Sequence, residues 1–275
     1  MGDISSESPL YEADPSGGDA LASSERRFGG IARLYGGEAC ARFAGARVAV
    51  VGIGGVGSWA AEALARSGVR RLTLIDLDHV AESNTNRQIH ALDGEYGRPK
   101  VQAMADRIRA INPVAETIAV EEFLDAGNAD ALLRDLDWVI DCTDAVRAKA
   151  ALIACARSRG IGVVSCGAAG GRRDPGRLRV GDLSAAAGDP LLAKLRHRLR
   201  REHGFPAAGL RGRAGRFGVV AVYSDEPVRY PDAGCAPGGA QPGSPLACGG
   251  YGSVVTVTAA MGLVAAARVL DGIAA

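Results

Sequence analysis

The sequence predicts an α/β fold built on a doubly wound, mainly parallel sheet, with an irregular C-terminal extension and a closing helix. Three observations predict this fold class. Apolar runs have the length of strands, segments with helical spacing lie between them, and the two patterns alternate from residue 46 to residue 166. This alternation is typical of a parallel sheet that is covered by helices on both faces.

Each element of this prediction follows from its residues. The candidate strands are near-continuous apolar runs, as expected for strands buried on both faces. They are residues 46–52, 71–76, 115–120, 138–142 and 162–166. The candidate helices carry apolar residues at helical spacing. They are residues 58–67, 99–111, 129–136 and 146–158.

The two ends of the chain differ from this middle part. Residues 1–25 hold six acidic side chains, no basic one and many Ser, Gly and Pro residues, which predicts a disordered acidic tail. Residues 26–43 predict a short helical lead-in. We expect residues 26–275 to form a single domain. Within it, residues 181–250 are an irregular, basic and Gly/Pro-rich region before the closing helix from Ser253.

The composition excludes several classes of protein. The chain has 275 residues and a formal net charge of +1, so no overall field drives it onto nucleic acid or a membrane. Its six cysteines form no CxxC pair, and we therefore expect no structural zinc. Residues 254–267 are uncharged but too short to span a bilayer, which favours a buried helix. We see no signal peptide and expect a cytoplasmic protein, with peripheral membrane association left open.

A glycine-rich turn joins the first predicted strand to the first predicted helix. Gly54, Gly55 and Gly57 lie in the segment GIGGVGS, residues 52–58. Glycines let backbone N–H groups approach a phosphate, and the helix N-terminus adds a partial positive charge. Asp76 ends the second strand, where an acid accepts hydrogen bonds from ribose hydroxyls. Taken alone, these residues indicate a nucleotide, in most cases NAD or FAD.

Further polar residues at the same edge of the sheet favour a triphosphate. Asn84 and Arg87 follow the second strand, Lys100 begins a helix, and Asp144 follows the fourth strand. Hydride transfer does not require two cations facing a carboxylate. Arg87 and Lys100 would neutralise oxygens as charge develops at phosphorus, with Asp144 as a magnesium ligand. The alternative is that both cations are solvated surface charges.

Together, these motifs resemble the ubiquitin-activating-enzyme-like superfamily, which includes the sulfur-carrier adenylyltransferases and whose members adenylate carboxylates. The resemblance rests on GIGGVGS, LIDLDHV, NTNRQ, GRPK and DCTD. Within the superfamily, the chain is similar to the bacterial tRNA threonylcarbamoyladenosine dehydratases. This likeness includes RFGGIARLYG (27–36), KAALIA (149–154) and DPLLAKLRHRLRR (189–201), and it extends from about residue 26 to residue 266. It implies a Rossmann-like fold and a homodimer.

The resemblance also implies roles for the candidate residues. Arg87, Lys100 and Asp144 would be catalytic, with the two cations on the β- and γ-phosphates of ATP and Mg²⁺ on Asp144. The ATP-binding set that it implies consists of Gly54, Gly55, Gly57, Asp76, Asn84, Arg87 and Lys100.

Two features of the superfamily are not matched. Its paired zinc CxxC motifs are absent, so the zinc is not carried over, and an N-terminal arginine differs. In its sulfur-carrier adenylyltransferases, an arginine near the N-terminus reaches into the site of the partner subunit. Gly30 occupies the corresponding position here. Arg27 and Arg33 are therefore the candidates for such a residue, and the resemblance does not choose between them.

A basic segment suits a polyanionic substrate. Residues 191–217 carry eight Lys or Arg residues against Glu202 alone, a net charge of +7. The candidate tRNA-binding residues are Arg172, Arg173, Lys194, Arg198 and Arg201. Each phosphate that they neutralise would release counterions and make the affinity for tRNA salt-dependent. The alternative is a solvated amphipathic helix with its leucines at helical spacing, and both interpretations can hold.

The resemblance implies a ligase-type, adenylate-forming enzyme. Its reaction would be the ATP-dependent dehydration, by cyclisation, of threonylcarbamoyladenosine next to the anticodon of tRNA, with release of AMP and pyrophosphate. The main alternative is an adenylyltransferase that activates the C-terminus of a ubiquitin-like sulfur carrier, for which Cys235 is a candidate nucleophile, whereas Cys248 is left without a role. A dinucleotide oxidoreductase, a non-catalytic tRNA-binding module and a sulfur-relay protein partner also stay open.

Overall fold

The computed structural model describes residues 17–207, 215–230 and 251–275, with side chains from residue 26 onward. The strands are β1 Arg47–Val51, β2 Arg71–Ile75, β3 Glu116–Val120, β4 Trp138–Asp141, β5 Gly162–Cys166, β6 Leu178–Asp182 and β7 Val220–Ser224. The helices are α1 Gly17–Tyr35, α2 Gly37–Gly45, α3 Gly57–Arg66, α4 Lys100–Ile111, α5 Ala129–Leu132, α6 Val146–Ser158, α7 Pro190–Glu202 and α8 Val255–Ala274.

The strands form one sheet in the order β3-β2-β1-β4-β5-β7-β6. Neighbouring strands run parallel except for β6, which is antiparallel to β7. The predicted doubly wound, mainly parallel sheet is confirmed. The chain places β2 and β3 on one side of β1, and then crosses to place β4 and the later strands on the other side. Where the direction of strand addition changes, here between β1 and β4, a crevice opens at the carboxyl ends of the strands.

The sheet carries a hydrophobic core on each face, because alternate residues of a strand point to opposite sides. Val48 and Val50 of β1 belong to the core under α3, α4 and α8, whereas Ala49 and Val51 belong to the core under α5, α6 and α7.

The closing helix α8 packs on α3 and against the start of β4. A Cβ atom on Gly262 would overlap the backbone of Val56, and one on Gly272 would overlap the ring of Trp138. By length and composition alone α8 could cross a membrane. One face of α8, including Met261 and Val269, is fully buried, whereas Leu263 is 47% exposed, so the predicted buried helix is buried on one face.

Several boundaries differ from the sequence prediction. Helix α1 begins at Gly17, inside the predicted tail of residues 1–25, and α5 ends at Leu132 instead of residue 136. The region 181–250 is less irregular than predicted, because it contains α7 and β7 and begins at the end of β6. Strands β6 and β7 were missed because glycine- and arginine-rich sequence flanks them. Residues 1–16, Cys235 and Cys248 lie outside the described residues.

Candidate functional site

A pocket of about 590 Å³ lies at the carboxyl ends of β1, β2, β4 and β5. The start of α7 and residues 228, 230 and 251 complete its wall. The pocket brings together most of the residues that the sequence singled out. Those lining it are Gly54, Gly55, Asp76, Asn84, Arg87, Lys100, Asp144 and Lys194.

The glycine-rich turn lets β1, β4 and α3 approach one another closely. Gly52 has a φ of 87°, and a Cβ atom on it would lie 2.9 Å from the carbonyl oxygen of Cys142. A Cβ atom on Gly57 would overlap the carbonyl oxygen of Gly52. Gly57 is therefore required for packing and lies behind the wall that Gly54 and Gly55 form. The start of α3 has no side-chain cap, which leaves backbone N–H groups for an anion.

Asp76 braces this turn from the end of β2. Its Oδ2 accepts a hydrogen bond from the backbone N–H of Ile53 at 2.6 Å, and its Oδ1 accepts one from Asp78 at 2.8 Å. Burial raises the pKa of the Asp76 carboxyl above its ordinary value, and the nearby positive charge of Lys100 partly offsets this effect. Each carboxylate oxygen can accept more than one hydrogen bond, so Asp76 can still accept from a ribose.

The two predicted phosphate-binding cations are held in different ways. Lys100 is buried, and its Nζ lies 2.7 Å from Oδ2 of Asp78. Arg87 is half-buried, and its Nη1 donates to the carbonyl oxygen of Ser83 at 2.7 Å and to Oδ1 of Asn86 at 2.9 Å. Lys100 therefore has a charged partner, whereas these contacts of Arg87 are with neutral acceptors.

The segment between β2 and α4 shapes the wall around Arg87. Asn84 is buried, and its Oδ1 accepts from the backbone N–H of Ala81 at 3.1 Å, which closes a short 3₁₀ turn. The indole N–H of Trp59 donates to the carbonyl oxygen of Arg87 at 2.9 Å. Asn84 thus supports the loop in addition to lining the pocket.

Two buried residues of the same segment were not assigned a role from the sequence. Gln88 lines the pocket, and its Oε1 accepts no hydrogen bond. His90 has no hydrogen-bond partner on either ring nitrogen, and burial, with Lys100 and Arg107 nearby, lowers its pKa to about 4. The position of Gln88, next to Arg87 in NTNRQ, was the signal that could have identified it.

Asp144 is the predicted metal ligand. It is exposed at the pocket wall just before α6. Among the described residues, no three His, Cys, Asp or Glu side chains are grouped to hold a metal ion. Mg²⁺ is commonly bound by one or two carboxylates together with substrate phosphates and water. A single carboxylate such as Asp144 is therefore enough for this ion where substrate phosphates lie beside it.

A buried ion pair lies beneath the pocket and was missed in the sequence. Nζ of Lys149 lies 2.9 Å from Oδ2 of Asp141 and donates to the carbonyl oxygen of Cys166 at 2.8 Å. Ser165 donates from its hydroxyl to the same carboxylate at 2.7 Å. These contacts join β4, β5 and α6. A lysine within the apolar KAALIA segment was the available signal.

The prediction that Arg172 binds tRNA is wrong. Its side chain is fully buried, with Nη1 at 3.0 Å from Oδ2 of Asp189, and its Nε donates to the carbonyl oxygen of Glu226 at 3.3 Å. Asp189 also caps α7 and accepts from the backbone N–H of Ala168 at 3.0 Å. Arg172 thus joins three segments from within. Its neighbour Arg173 is exposed.

The remaining predicted tRNA-binding residues share one face of α7. Lys194, Arg198 and Arg201 line an open groove of about 480 Å³ together with His197. Arg198 and Arg201 both pair with Glu202. Lys194 also lines the main pocket, so that the groove and the pocket adjoin at this side chain. The opposite face of α7 buries the predicted leucines Leu191, Leu192, Leu195 and Leu199.

The two N-terminal arginines lie on α1. Arg27 donates from Nη1 to the carbonyl oxygen of Ile111 at 3.1 Å, and Arg33 is exposed. Neither is among the described residues that line the pocket of this chain. A role across a dimer interface stays a prediction.

Comparison with known proteins gives consistent similarities. Residues 29–274 match the ThiF family. The chain is 46% identical to the tRNA threonylcarbamoyladenosine dehydratase of Escherichia coli K12 over 251 residues, which cover 89% of this chain and 92% of the relative. It also resembles a crystal structure of the E. coli tRNA N6-threonylcarbamoyladenosine dehydratase in complex with ATP. That similarity has a TM-score of 0.80 and 44% identity, and it covers 90% of this chain and 94% of the other.

A shorter match is to the E. coli K12 molybdopterin-synthase adenylyltransferase. It has 43% identity over 100 residues, which are 36% of this chain and 40% of the relative. The longer similarities thus favour the dehydratases over the sulfur-carrier adenylyltransferases.

Proposed function

The chain belongs to the ThiF family, and we propose that it catalyses the ATP-dependent dehydration of threonylcarbamoyladenosine in tRNA. One observation carries the proposal. A single pocket combines a glycine-rich helix N-terminus, a buried carboxylate and two cations, and it adjoins a basic groove at Lys194. The extended similarity to dehydratases, one of them solved with ATP, supports the same reaction.

ATP would lie along the ends of β2 and β1. The N–H groups of the glycine-rich turn and of α3 would bind its phosphates, and Asp76 would accept from the ribose hydroxyls. Lys100 and Arg87 would contact the β- and γ-phosphates. Mg²⁺, held by Asp144 and phosphate oxygens, would supply further positive charge near the leaving group.

The first chemical step forms a mixed anhydride. An oxygen of the threonyl carboxylate attacks the α-phosphorus of ATP, and the bond from this phosphorus to the bridging oxygen breaks. The electron pair leaves with pyrophosphate. Arg87 and Lys100 stabilise the negative charge that develops there, and removing one such donor in other enzymes lowers rates about 10²- to 10³-fold.

The second step is intramolecular. The carbamoyl group attacks the activated carboxyl carbon, one of the carbamoyl N–H groups loses its proton, and the bond from that carbon to the AMP oxygen breaks. The ring closes as AMP leaves. A well-oriented tethered nucleophile has an effective molarity of about 10⁵ M or more. No protein thiol is therefore needed, and the reaction does not depend on Cys235 or Cys248.

The basic groove would bind the phosphates of the anticodon arm. Lys194, Arg198 and Arg201 lie on one face of α7, and Arg173 is exposed. The logarithm of the affinity for tRNA is expected to fall linearly with the logarithm of the salt concentration. If each of these residues contacts one phosphate, Arg198→Ala should reduce the magnitude of this slope by about one. We also propose a soluble cytoplasmic homodimer, to which a sulfur-relay protein can be an additional partner.

The test is to incubate the protein with bacterial tRNA, ATP and Mg²⁺, and to measure the nucleosides by mass spectrometry. Loss of one water from threonylcarbamoyladenosine, with formation of AMP and pyrophosphate, is the expected result. Asp144→Asn and Arg87→Ala should each lower its rate about 10²- to 10³-fold. Asp93→Asn, at an exposed carboxylate outside the pocket lining, should leave the rate unchanged. Adenylation of a ubiquitin-like carrier, without change in tRNA, would favour the alternative function.

A further inference from the structure

Two tyrosines form an aromatic pair at the mouth of the pocket. The ring centroids of Tyr230 and Tyr251 lie 5.4 Å apart at an angle of 65°. Both line the pocket, and the side chain of Tyr230 is 74% exposed. An exposed tyrosine ring beside a polar pocket presents a flat apolar surface for a ligand. We call Tyr230 and Tyr251 the tyrosine pair.

The position of the tyrosine pair is fixed by backbone contacts to the loop after β5. The backbone N–H of Arg229 donates to the carbonyl oxygen of Gly171 at 2.8 Å, and the N–H of Gly171 donates to Gly252 at 2.9 Å. Gly171 has a φ of 71°, and a Cβ atom on it would lie 2.8 Å from Val228. Each tyrosine is thus next to a residue bonded to Gly171.

The loop that holds the tyrosine pair lies at a different strand end from the proposed ribose site, and Ser253, two residues after Tyr251, accepts a hydrogen bond from the side-chain amide of Asn86 at 2.8 Å. Asp76 ends β2, whereas the loop that holds the pair follows β5, three strands away in the sheet. Three strand spacings correspond to about 14 Å. With the ribose at Asp76 and the phosphates at the glycine-rich turn, the phosphates lie between the ATP base and the tyrosines. The pair is therefore poorly placed to stack on the adenine of ATP.

The geometry points to the tyrosine pair as the stacking site for the modified adenine of the tRNA substrate, an inference that rests on the proposed function. In that nucleoside, a urea group and one carbon join the adenine to the carboxylate. A carboxylate at the α-phosphorus therefore keeps its base at the mouth of the pocket. Lys194 is exposed, lines the same pocket and begins the basic groove. Aromatic rings beside a basic groove are a common arrangement for binding single-stranded nucleic acid.

The test uses two RNA hairpins with the sequence of an anticodon arm, one with adenosine and one with an abasic nucleotide at the modified position. Binding is measured by fluorescence anisotropy without ATP. The protein should bind the adenosine hairpin about 5- to 150-fold more tightly, the range expected for one stacked base. Tyr230→Ala and Tyr251→Ala should bind both hairpins with nearly equal affinity. Tyr230→Phe and Tyr251→Phe, which keep the ring, should discriminate as the original chain does.

Ile118→Ala is the matched control, because Ile118 is also an exposed apolar side chain, at 61%, and lies on the edge strand β3 outside the pocket lining. This variant should discriminate like the original chain. The inference is overturned if the tyrosine-to-alanine variants keep the discrimination, if the phenylalanine variants lose it, or if the original chain shows none. A weaker affinity of the alanine variants for ATP alone would assign the pair to the nucleotide instead. Discrimination between hairpins without any dehydration of tRNA would count against the proposed function and leave the stacking site standing.

Discussion

The two sides of the pocket are built in different ways. The nucleotide side is formed by the ends of β1 and β2 and by residues 82–88 and 100. Its two carboxylate contacts lie within residues 53–100, and one hydrogen bond at 2.8 Å, from the side-chain amide of Asn86 to the carbonyl oxygen of Ser253, ties it to a distant segment. The carboxylate of Asp76 reaches Ile53, and Lys100 reaches Asp78. The acceptor side, formed by the ends of β5 and β7, the start of α7 and the tyrosine pair, is held by contacts between distant segments. There, Arg172 joins Asp189 and Glu226.

The basic side chains on the two sides also differ in how exposed their carboxylate partners are, and this indicates which of them can bind a ligand and which stabilise the fold. Asp78, the partner of Lys100, is 58% exposed, so its charge stays solvated when a phosphate attracts the lysine. Both members of the Arg172–Asp189 pair are fully buried. Removing one member of such a pair leaves an uncompensated buried charge. A basic side chain near a pocket is thus a ligand-binding candidate only where its partner remains in contact with water.

The largest effect is expected on the acceptor side. Arg172→Met should lower the free energy of unfolding by about 3–5 kcal/mol, because it leaves the carboxylate of Asp189 buried without a partner. Urea denaturation measures this change. Arg173→Met is the matched control, and a change within about 0.5 kcal/mol is expected for this exposed neighbour. Equal effects of the two substitutions would contradict the structural role of Arg172.

A second variant tests whether the unpaired charge is the cause. Arg172→Met combined with Asp189→Asn removes both charges, while asparagine can still cap α7. The double variant should lose less stability than the sum of the two single variants, since the two residues contact each other. Strict additivity would indicate that the loss comes from packing alone.

On the nucleotide side, the main loss should be in activity. Lys100→Met should change the free energy of unfolding by about 1 kcal/mol or less, because its partner Asp78 is solvated. ATP–pyrophosphate exchange should fall about 10²- to 10³-fold with the loss of a phosphate-stabilising cation. Arg98→Met is the control, since Arg98 pairs with Glu95 and Asp106 outside the pocket lining. If Lys100→Met caused a large loss of stability and no loss of ATP–pyrophosphate exchange, Lys100 would have a structural role like that of Arg172 and not a role in binding phosphate.

The next prediction concerns acid pH and His90 on the nucleotide side. Burial lowers the pKa of His90 to about 4, whereas a histidine in the unfolded chain has a pKa near 6.5. Between these values the unfolded state binds more protons, so stability falls as pH is lowered. The loss is about 3 kcal/mol at most. His90→Leu should lose less stability than the original chain between pH 6.5 and pH 4, as measured by urea denaturation. Parallel pH profiles would show that His90 does not titrate in this way.

The sequence predicted the nucleotide side more completely than the acceptor side. Asp76 and Lys100 stand at strand and helix ends within recognisable motifs, so their convergence follows from the parallel sheet alone. Arg172 and Arg173 are adjacent in the sequence, and nothing local distinguishes the buried one from the exposed one. The difference depends on Asp189 and Glu226, which meet Arg172 only after folding. Lys149 was missed for the same reason, since its partner Asp141 lies on another element.

The smallest effect is expected at Glu226, which holds the loop beneath the acceptor side. The backbone N–H groups of Asp174 and Arg173 donate to its Oε2, each at 2.9 Å, and lower the pKa of the carboxyl. In the unfolded chain a glutamate has a pKa near 4.3. Because the pKa of Glu226 is lower in the folded protein, its ionised carboxylate stabilises the fold at pH values above 4.3, and this stabilisation is lost as the pH falls through the pKa of the folded state. At pH 7, Glu226→Gln should therefore be less stable by about 1–2 kcal/mol. The difference should shrink below pH 4, and hydrogen exchange at Asp174 and Arg173 should become faster in the variant. Glutamate and glutamine are nearly isosteric, and only the glutamate titrates. A difference in stability that stays constant with pH would therefore show that the charge of Glu226 is not the cause.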